Sequence, residues 1–340
     1  MRGLLHRFER SVGTVQVSVA FSGRDICKAI AGSKYFSIPD LSDAYLQMEV
    51  EEESQTLLTI TTHKGLFKCK RLPPGVKSAQ GAFQKVIDSM IGDLEGVESF
   101  LDDVLVHGKT PEEHDRNLDL ILQRIQEYGF RLKLDKCRIY MTEVKYIGHI
   151  VDQNGIRTDP EKVSAIVKMP PPRNVTELRS FLGAVNYYAK FINEMHQLRR
   201  PLDQLLQKDA KWMWSKECQS SFKRFKELLQ SDLMLTHYNP SMPIVVAADA
   251  SNTGIGACIR HRFPGGAEKA VQYASRTLTP TEQGYSQIDK EALALVYAVT
   301  KFHRMILGRP FVLETDHQPL LRIFGSHKGI PGRTGCSGGH

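Results

Sequence analysis

The chain has 340 residues, of which 41% are hydrophobic and 24% are charged, a composition typical of folded globular proteins and unlike that of disordered chains. Its 45 Lys and Arg residues against 38 Asp and Glu residues give a net charge of +7, which favours a polyanionic partner, nucleic acid before membrane. The six cysteines contain no C-x-x-C pair, which argues against a zinc ribbon or a disulfide framework. No apolar run approaches the ~20 residues of a membrane span, so we expect an intracellular protein, cytoplasmic or nuclear, that is not secreted.

Clear secondary-structure signals begin near Lys34, after a first segment with weak patterning. Residues 35–38 and 57–60 are predicted strands, and residues 79–91 are a predicted helix. Between them, residues 71–76 contain two prolines and a glycine, which indicates a loop.

Two short apolar runs, at residues 98–101 and 104–107, are separated by Asp102 and Asp103. This pattern predicts a hairpin with a two-residue acidic tip. Aspartates are common at turns for purely conformational reasons, so the pair alone does not indicate a functional site.

Helix-capping signals recur along the middle of the chain. Thr110, Asp159 and Asn174 are predicted N-caps, and Glu113 completes a capping box with the first of them. Between residues 162 and 226, basic residues outnumber acidic ones, and tyrosines and tryptophans lie among them. This basic stretch is either a solvated charged face or a surface for nucleic-acid phosphates.

A second compact unit is predicted from residue 241 onward. Its predicted strands are residues 244–249, 256–259, 271–274 and 311–316. Thr279 is predicted to cap a long helix with apolar residues at helical spacing from Ile288 to Phe302. Residues 329–340 are rich in glycine and carry no packing signal, which predicts a disordered tail.

Three carboxylates bear on the chemistry: Asp40 at the end of a predicted strand, and Asp102 with Asp103 at the predicted hairpin tip. Neighbouring carboxylates raise one another's pKa, and a divalent cation between them offsets their repulsion. Mg²⁺ prefers oxygen ligands together with substrate phosphates, and a pair of such ions binds an attacking 3′ oxygen and a leaving pyrophosphate together.

The order of the motifs resembles the palm of reverse transcriptases. The motifs are residues 35–47 (YFSIPDLSDAYLQ), 71–84 (RLPPGVKSAQGAFQ) and 100–106 (FLDDVLV). Together with residues 146–151 (YIGHIV), 181–192 (FLGAVNYYAKFI) and 248–251 (ADAS), they look like the Pol polyprotein of gypsy-type LTR retrotransposons. The resemblance covers about residues 34–330.

The resemblance implies roles for particular residues. The catalytic, metal-binding positions are Asp40, Asp102 and Asp103; the nucleotide-binding positions are Asp43, Ala44, Tyr45, Pro74 and Gln84; the primer-grip positions are Tyr146, Gly148 and His149. Tyr45 matches an aromatic gate against a ribose 2′-OH, with a core aromatic as the alternative. The implied cofactor is Mg²⁺, two ions, with Mn²⁺ as a substitute. The implied partners are an RNA template, a DNA primer, an RNA–DNA hybrid and deoxynucleoside triphosphates, with no membrane.

The basic stretch then resembles a thumb and connection, and its predicted phosphate contacts are Arg173, Arg179, Lys190, Arg199 and Arg200. The second unit resembles RNase H, with Asp249, Glu291 and Asp316 as its acidic set, although a lone Glu291 is also typical of a helix surface. The family has a fourth carboxylate, and no Asp or Glu occurs after Asp316, so we expect no RNase H turnover. The missing segment should also cover one face of the sheet, so we expect apolar side chains such as Val312 or Ile323 to be more exposed than in a complete domain.

The implied fold is α+β and α/β, multidomain, with a right-hand polymerase palm and thumb before a truncated RNase H-like domain. The predicted segments are an incomplete fingers region (residues 1–33), palm (34–165), thumb and connection (166–240), RNase H-like domain (241–328) and tail (329–340). Three features depart from the family pattern: the segment before Lys34, the proline at Pro39, and Phe100. Both ends are expected to be truncated. The expected function is RNA-directed DNA polymerase; the alternative is a catalytically dead, nucleic-acid-binding remnant.

Overall fold

The computed structural model describes residues 29–208, 210–231 and 233–324. Contacts divide the chain into two compact units, Met1–Gln153 and Asn154–His340. The patterns before residue 29 and the predicted tail at 329–340 lie outside the described residues. Within those described ranges, no helix combines the length and the apolarity that a membrane crossing requires.

The first unit contains a four-stranded antiparallel sheet in the order β4-β5-β1-β6. Its described strands are β1 (Tyr35–Ile38), β2 (Thr59–Thr62), β3 (Gly65–Lys68), β4 (Val97–Phe100), β5 (Asp103–Gly108), β6 (Arg138–Met141), β7 (Glu143–Tyr146) and β8 (His149–Asp152). Its described helices are α1 (Glu52–Gln55), α2 (Ala79–Ile91) and α3 (Pro111–Glu127), with a 3-10 helix at Ala44–Gln47. β2 pairs with β3, and β7 pairs with β8, each as an antiparallel hairpin.

The core of the first unit lies between the four-stranded sheet and two helices. Phe83 and Ile87 of α2 and Ile121 of α3 are fully buried in one cluster with Val104 and Val106 of β5. The apolar residues of α2 recur every three or four positions, which places them on one face of the helix. The helix predicted at residues 79–91 is therefore confirmed.

Two strand predictions need correction. The strand predicted at residues 57–60 is β2, two residues later, because Leu57 and Leu58 still donate main-chain hydrogen bonds to the α1 turn. The hairpin forms as predicted, but its two turn residues are Leu101 and Asp102. Asp103 is already the first residue of β5, paired with the last residue of β4.

The predicted N-caps are confirmed, with one change. Asp159 and Asn174 each accept a hydrogen bond from a main-chain N–H in the first turn of the following helix. Thr110 Oγ1 accepts from Glu113 N at 3.2 Å, but the Glu113 carboxylate accepts from Lys109 N and not from the N-cap residue. The capping box is therefore incomplete, because the Glu113 carboxylate binds the amide of Lys109, one residue before the N-cap.

The second unit continues with shorter elements and then a second sheet. Its described strands are β9 (Gly155–Thr158), β10 (Met234–Leu235), β11 (Ile244–Ala250), β12 (Gly254–Arg262), β13 (Glu268–Thr277) and β14 (Phe311–Glu314). Its described helices are α4 (Pro160–Val167), α5 (Val175–Asn186), α6 (Met195–Gln204), α7 (Lys216–Gln230), α8 (Pro280–Gln283), α9 (Gln287–Lys301), α10 (His303–Ile306) and α11 (Gln318–Phe324), with a 3-10 helix at Ala189–Phe191.

The second sheet has the strand order β13-β12-β11-β14, with β14 parallel to β11 and the other pairs antiparallel. The helix α9 covers one face, where Ala294 and Ala298 lie in one buried cluster with Val246 and Ile255. Val312 on the edge strand β14 is 47% exposed, and its greater exposure than in a complete domain stays a prediction. The side chain of Ile323 is outside the described part of the chain.

The helix predicted to begin at Thr279 is broken in two. Thr279 and Glu282 form a complete capping box, but the helix that they cap, α8, has only four residues. Gly284 ends α8, and Ser286 caps the long helix α9 by accepting a hydrogen bond from Asp289 N. A second cap two residues after a glycine is the sequence signal for this break.

Candidate active site and metal centre

The main chain brings the predicted catalytic aspartates together at the end of β1. Asp40 follows β1 and forms an isolated antiparallel bridge with Asp103. Asp102 precedes Asp103 in the turn between β4 and β5. Asp102 and Asp103 are exposed and Asp40 is half-buried. The bridge and the turn thus place the main chain of Asp102 and Asp103 beside that of Asp40.

Gln84 of α2 holds the turn that carries Asp102. Its Oε1 accepts a hydrogen bond from Leu101 N at 2.6 Å, while Nε2 donates to Asp88 Oδ1 at 2.7 Å and to Ser99 Oγ at 3.3 Å. Leu101 has φ 57°, a left-handed conformation that costs free energy in a leucine. The side-chain amide of Gln84, a predicted nucleotide-binding residue, therefore stabilises the β4–β5 hairpin turn.

The segment after β1 carries the predicted nucleotide positions Asp43, Ala44 and Tyr45. Asp43 has φ 47° and is exposed, whereas Ala44 is buried in the 3-10 helix. The half-buried ring of Tyr45 packs against Phe83, with the two ring centroids 5.0 Å apart. Burial, and after it the negative charge of Asp102, raises the pKa of the Tyr45 hydroxyl. Tyr45 thus lies within electrostatic range of Asp102, and its ring is partly core packing as well.

Pro74 is exposed in the predicted loop before α2. The loop is anchored at its start, where Arg71 pairs with Glu49 at 3.0 Å and Leu72 N donates to Met48 O at 3.1 Å. This ion pair and this main-chain hydrogen bond therefore fix the start of the exposed loop.

The predicted primer-grip residues lie on the β7–β8 hairpin. Ile147 and Gly148 form its two-residue turn with φ 44° and 68°, the pattern of a type I′ turn. Tyr146 and His149 flank the turn as a cross-strand pair, and both are buried. Burial, with the charges of Glu98 and Asp103 as smaller causes, raises the pKa of Tyr146 far above its ordinary value. Tyr146 is thereby placed in the neighbourhood of Asp103.

The predicted phosphate-contact residues differ in their surroundings. Arg173, Arg179 and Arg200 are exposed. Lys190 is half-buried, with its Nζ 5.3 Å from the centroid of the Phe191 ring.

Arg199 is engaged within its own unit. Its guanidinium pairs with Asp203 at 3.0 Å and donates to Asn186 Oδ1 at 3.3 Å. It also lines a cavity of about 490 Å³ together with Arg276 and other residues of β13. Arg199 is therefore less available to an external phosphate than its neighbour Arg200.

The acidic set of the second unit is gathered closely. The ligand oxygens of Asp249, Glu291 and Asp316 all lie within 4.8 Å of one another, the one such group of three among the described residues. Asp249 comes from β11, Glu291 from α9, and Asp316 follows β14. Strand, helix and strand end thus converge as predicted.

Glu291 is 5% exposed, and its environment is unusual for a carboxylate. Gln287 Nε2 donates to Glu291 Oε1 at 2.8 Å, while Oε2 is buried with no hydrogen-bond partner. Burial first, and then the charges of Asp249 and Asp316, raise the pKa of Glu291, against the hydrogen bond from Gln287. A buried acceptor without a donor, facing two further carboxylates, fits a divalent cation, whose preferred ligands are such oxygens.

Gln287 is a site residue that the sequence analysis missed. It also donates to Ala250 O at 3.2 Å, so it links Glu291 to β11. Its position four residues before Glu291 on the same helix is the signal that would have found it.

Two family models match the chain. The one described as reverse transcriptase (RNA-dependent DNA polymerase) matches residues 2–151, and the RNase H-like domain found in reverse transcriptase matches residues 214–313. The first match begins at residue 2, whereas the motif resemblance began at residue 34. The second includes Asp249 and Glu291 and ends before Asp316. Residues 2–151 are therefore similar to a reverse transcriptase domain, and residues 214–313 to an RNase H-like domain.

The chain is similar to polyproteins of transposons. The chain is 32% identical over 299 residues to the "Retrovirus-related Pol polyprotein from transposon 297" of Drosophila melanogaster, covering 87% of this chain and 28% of that protein. It is 30% identical over 296 residues to the "Transposon Tf2-3 polyprotein" of Schizosaccharomyces pombe, covering 86% of this chain and 22% of that protein. The chain thus spans less than a third of the length of either relative.

Solved structures share the fold. The foamy viral protease–reverse transcriptase "dRH in complex with ds DNA" has a TM-score of 0.77 and 24% identity, covering 88% of this chain and 53% of that one. The same foamy viral protein in complex with RNA/DNA hybrid has a TM-score of 0.72, covering 93% of this chain and 43% of that one. The mixed α/β, multidomain fold implied by the motifs is confirmed.

Proposed function

We propose that this chain is an RNA-directed DNA polymerase of an LTR retrotransposon of the gypsy type. The single observation that carries the proposal is the bridge between Asp40 and Asp103, with Asp102 in the adjoining turn. The reverse transcriptase family match over residues 2–151 supports the same activity.

The reaction proposed is addition of a deoxynucleotide to a primer 3′ end. Asp40, Asp102 and Asp103 would hold the two Mg²⁺ ions, for which Mn²⁺ would substitute. When bound, the cations supply positive charge to the attacking 3′ oxygen and the leaving pyrophosphate. The protein itself contributes positioning, which supplies most of the catalysis in phosphoryl transfer. Gln84 fixes the hairpin turn, and the bridge fixes Asp40 against it.

Selection of deoxynucleotides is assigned to Tyr45. Its half-buried ring packs against Phe83, and the charge of Asp102 acts on its hydroxyl, which supports a place for Tyr45 beside the proposed metal site. The partners proposed are an RNA template, a DNA primer and deoxynucleoside triphosphates. The foamy viral structures were solved with double-stranded DNA and with RNA/DNA hybrid, which supports a duplex ligand here.

Primer extension with a Mg²⁺ titration tests the proposal against the catalytically dead remnant. A labelled DNA primer annealed to an RNA template is incubated with the purified chain and deoxynucleotides. We expect extension that requires the metal and saturates with it. A chain that binds the duplex but never extends the primer would support the remnant instead.

Arg200 and Arg199 are expected to differ in duplex binding. Arg200→Ala should reduce the log–log salt slope by roughly 0.9 unit, as for one lost phosphate contact on a B-form duplex. Arg199→Ala, on the same helix, is the matched control, because its guanidinium is already paired with Asp203. The measurement is hybrid binding by fluorescence anisotropy over a series of salt concentrations. An unchanged slope in Arg200→Ala would assign Arg200 to a solvated face.

We expect no RNase H turnover, although the second unit is proposed to bind a divalent cation. At the polymerase site the nucleotide triphosphate would supply further oxygen ligands, whereas hydrolysis has no triphosphate and needs more fixed carboxylates to hold both ions. Only three carboxylates are gathered in the second unit among the described residues. A labelled RNA–DNA hybrid incubated with the chain and Mn²⁺ or Mg²⁺ provides the measurement. Cleavage that disappears in Asp249→Asn would show that these three carboxylates suffice.

A further inference from the structure

The segment that joins α3 to β6 runs beside Asp40 and holds its main chain. Lys133 N donates to Asp40 O at 2.8 Å, and Ser42 N donates to Arg131 O at 2.9 Å. On the β5 side, Asp40 forms its bridge with Asp103. The main chain around Asp40 is therefore held by hydrogen bonds to the α3–β6 segment and by the bridge to β5.

The side chain of Cys137 makes a further hydrogen bond to the main chain of Asp40. Asp40 N donates to Cys137 Sγ at 3.3 Å, and Sγ donates to Lys133 O at 3.4 Å. Cys137 N also donates to Lys133 O at 3.2 Å. A thiol is both a weak donor and a weak acceptor, so the Cys137 sulfur can link the Asp40 amide to the Lys133 carbonyl. Lys133 in turn binds the Asp40 carbonyl through its own amide.

The sulfur occupies a place that a strand carbonyl normally fills. Pairing between β1 and β6 ends at Ile38 and Arg138, and Pro39 has no N–H to continue it. Asp40 N is the next donor along the chain, and Cys137 Sγ satisfies it. Without this acceptor, a half-buried N–H beside the proposed metal site would lose its protein partner, which is unfavourable.

We propose that Cys137 is a positioning residue for polymerase catalysis. It does not contact substrate; it acts by fixing the main-chain conformation of Asp40, and thereby the direction in which the Asp40 carboxylate leaves the chain. The inference rests on the proposed function of Asp40 as a metal ligand.

Kinetics of single-nucleotide addition test the inference in three variants. Cys137→Ala removes the acceptor, Cys137→Ser keeps a donor and an acceptor on a shorter bond, and Cys69→Ala is a control cysteine in the same unit. We expect Cys137→Ala to lower kcat about 10-fold with little change in the KM for the deoxynucleotide, and to raise the Mg²⁺ concentration needed for half-maximal rate. Cys137→Ser should recover most of kcat, and Cys69→Ala should match the parent.

These kinetics also separate positioning from a merely structural role. If Cys137→Ala leaves kcat and the Mg²⁺ dependence unchanged, the proposal is overturned. It is also overturned if Cys137→Ser is as impaired as Cys137→Ala, because a lost hydrogen bond is then not the cause.

Hydrogen–deuterium exchange provides a readout that needs no catalysis. The peptide containing Asp40 is well suited, because Pro39 contributes no exchangeable amide. We expect Cys137→Ala to exchange faster at Asp40 than the parent or Cys69→Ala does. Unchanged exchange would refute the hydrogen bond. A parental chain that never extends primers, yet shows the expected exchange difference, would refute the proposed function while leaving the Cys137–Asp40 bond in place.

Discussion

Replacing Asp102 with asparagine is expected to abolish primer extension, with a loss of at least ~10³-fold in rate. The substitution removes a proposed metal ligand from the turn between β4 and β5 while keeping the size of the side chain. The fold should be unaffected or slightly more stable, because one of three mutually repelling carboxylates is lost. The measurement is extension rate together with melting temperature, recorded on the same preparation.

Asp119→Asn is the matched control for that variant. Asp119 is an exposed aspartate of α3 in the same unit, so its replacement makes the same change in charge away from the site. We expect it to extend primers at the parental rate. Parental rates in Asp102→Asn as well would remove the polymerase assignment of this hairpin.

Glu291→Gln is expected to stabilise the chain in the absence of divalent cations and to abolish their stabilising effect. A neutral amide ends the repulsion from Asp249 and Asp316, and its nitrogen can donate to them. A gain of about 1 kcal/mol would raise the melting temperature by roughly 2–4 °C in a unit of this size. Thermal melts with a chelator, and then with Mg²⁺ or Mn²⁺, measure both effects.

The difference between Glu291→Gln and the parent should also depend on pH. The folded-state pKa of Glu291 is raised above 4.5, so its contribution to stability is fully present below pH 4.5 and is lost as the pH rises through the folded pKa. With a chelator present, the advantage of the glutamine variant should therefore be absent at low pH and grow as the pH rises. An advantage that is constant with pH would show that the Glu291 carboxyl does not titrate abnormally.

Features set by local chemistry could be predicted from the sequence. The N-caps at Asp159 and Asn174 form because a side-chain oxygen reaches an amide only two or three residues away. The helix α2 forms where its apolar residues repeat at helical spacing.

The acidic set at Asp249, Glu291 and Asp316 was predicted from a resemblance in motif order, and the structure brings its carboxylate oxygens together.

Features set by distant contacts could not be predicted in the same way. The hairpin turn lies at Leu101 and Asp102, where Gln84, 17 residues earlier, accepts a hydrogen bond from the Leu101 amide. The Asp40 amide binds Cys137, 97 residues away, and no local pattern marks that pairing. Such partners are decided by packing of the whole unit, because a weak hydrogen bond does not choose between remote residues by itself.

The most direct test of the polymerase proposal is single-nucleotide incorporation on RNA templates that differ only in the first unpaired base. The purified chain, a labelled DNA primer, Mg²⁺ and one deoxynucleotide at a time are combined for each of the four templating bases. The proposal predicts that only the complementary deoxynucleotide is added, that the matching ribonucleotide is added far more slowly, and that addition disappears in Asp102→Asn. Tight binding of the primer–template with no incorporation of any nucleotide, at any Mg²⁺ or Mn²⁺ concentration, would contradict it.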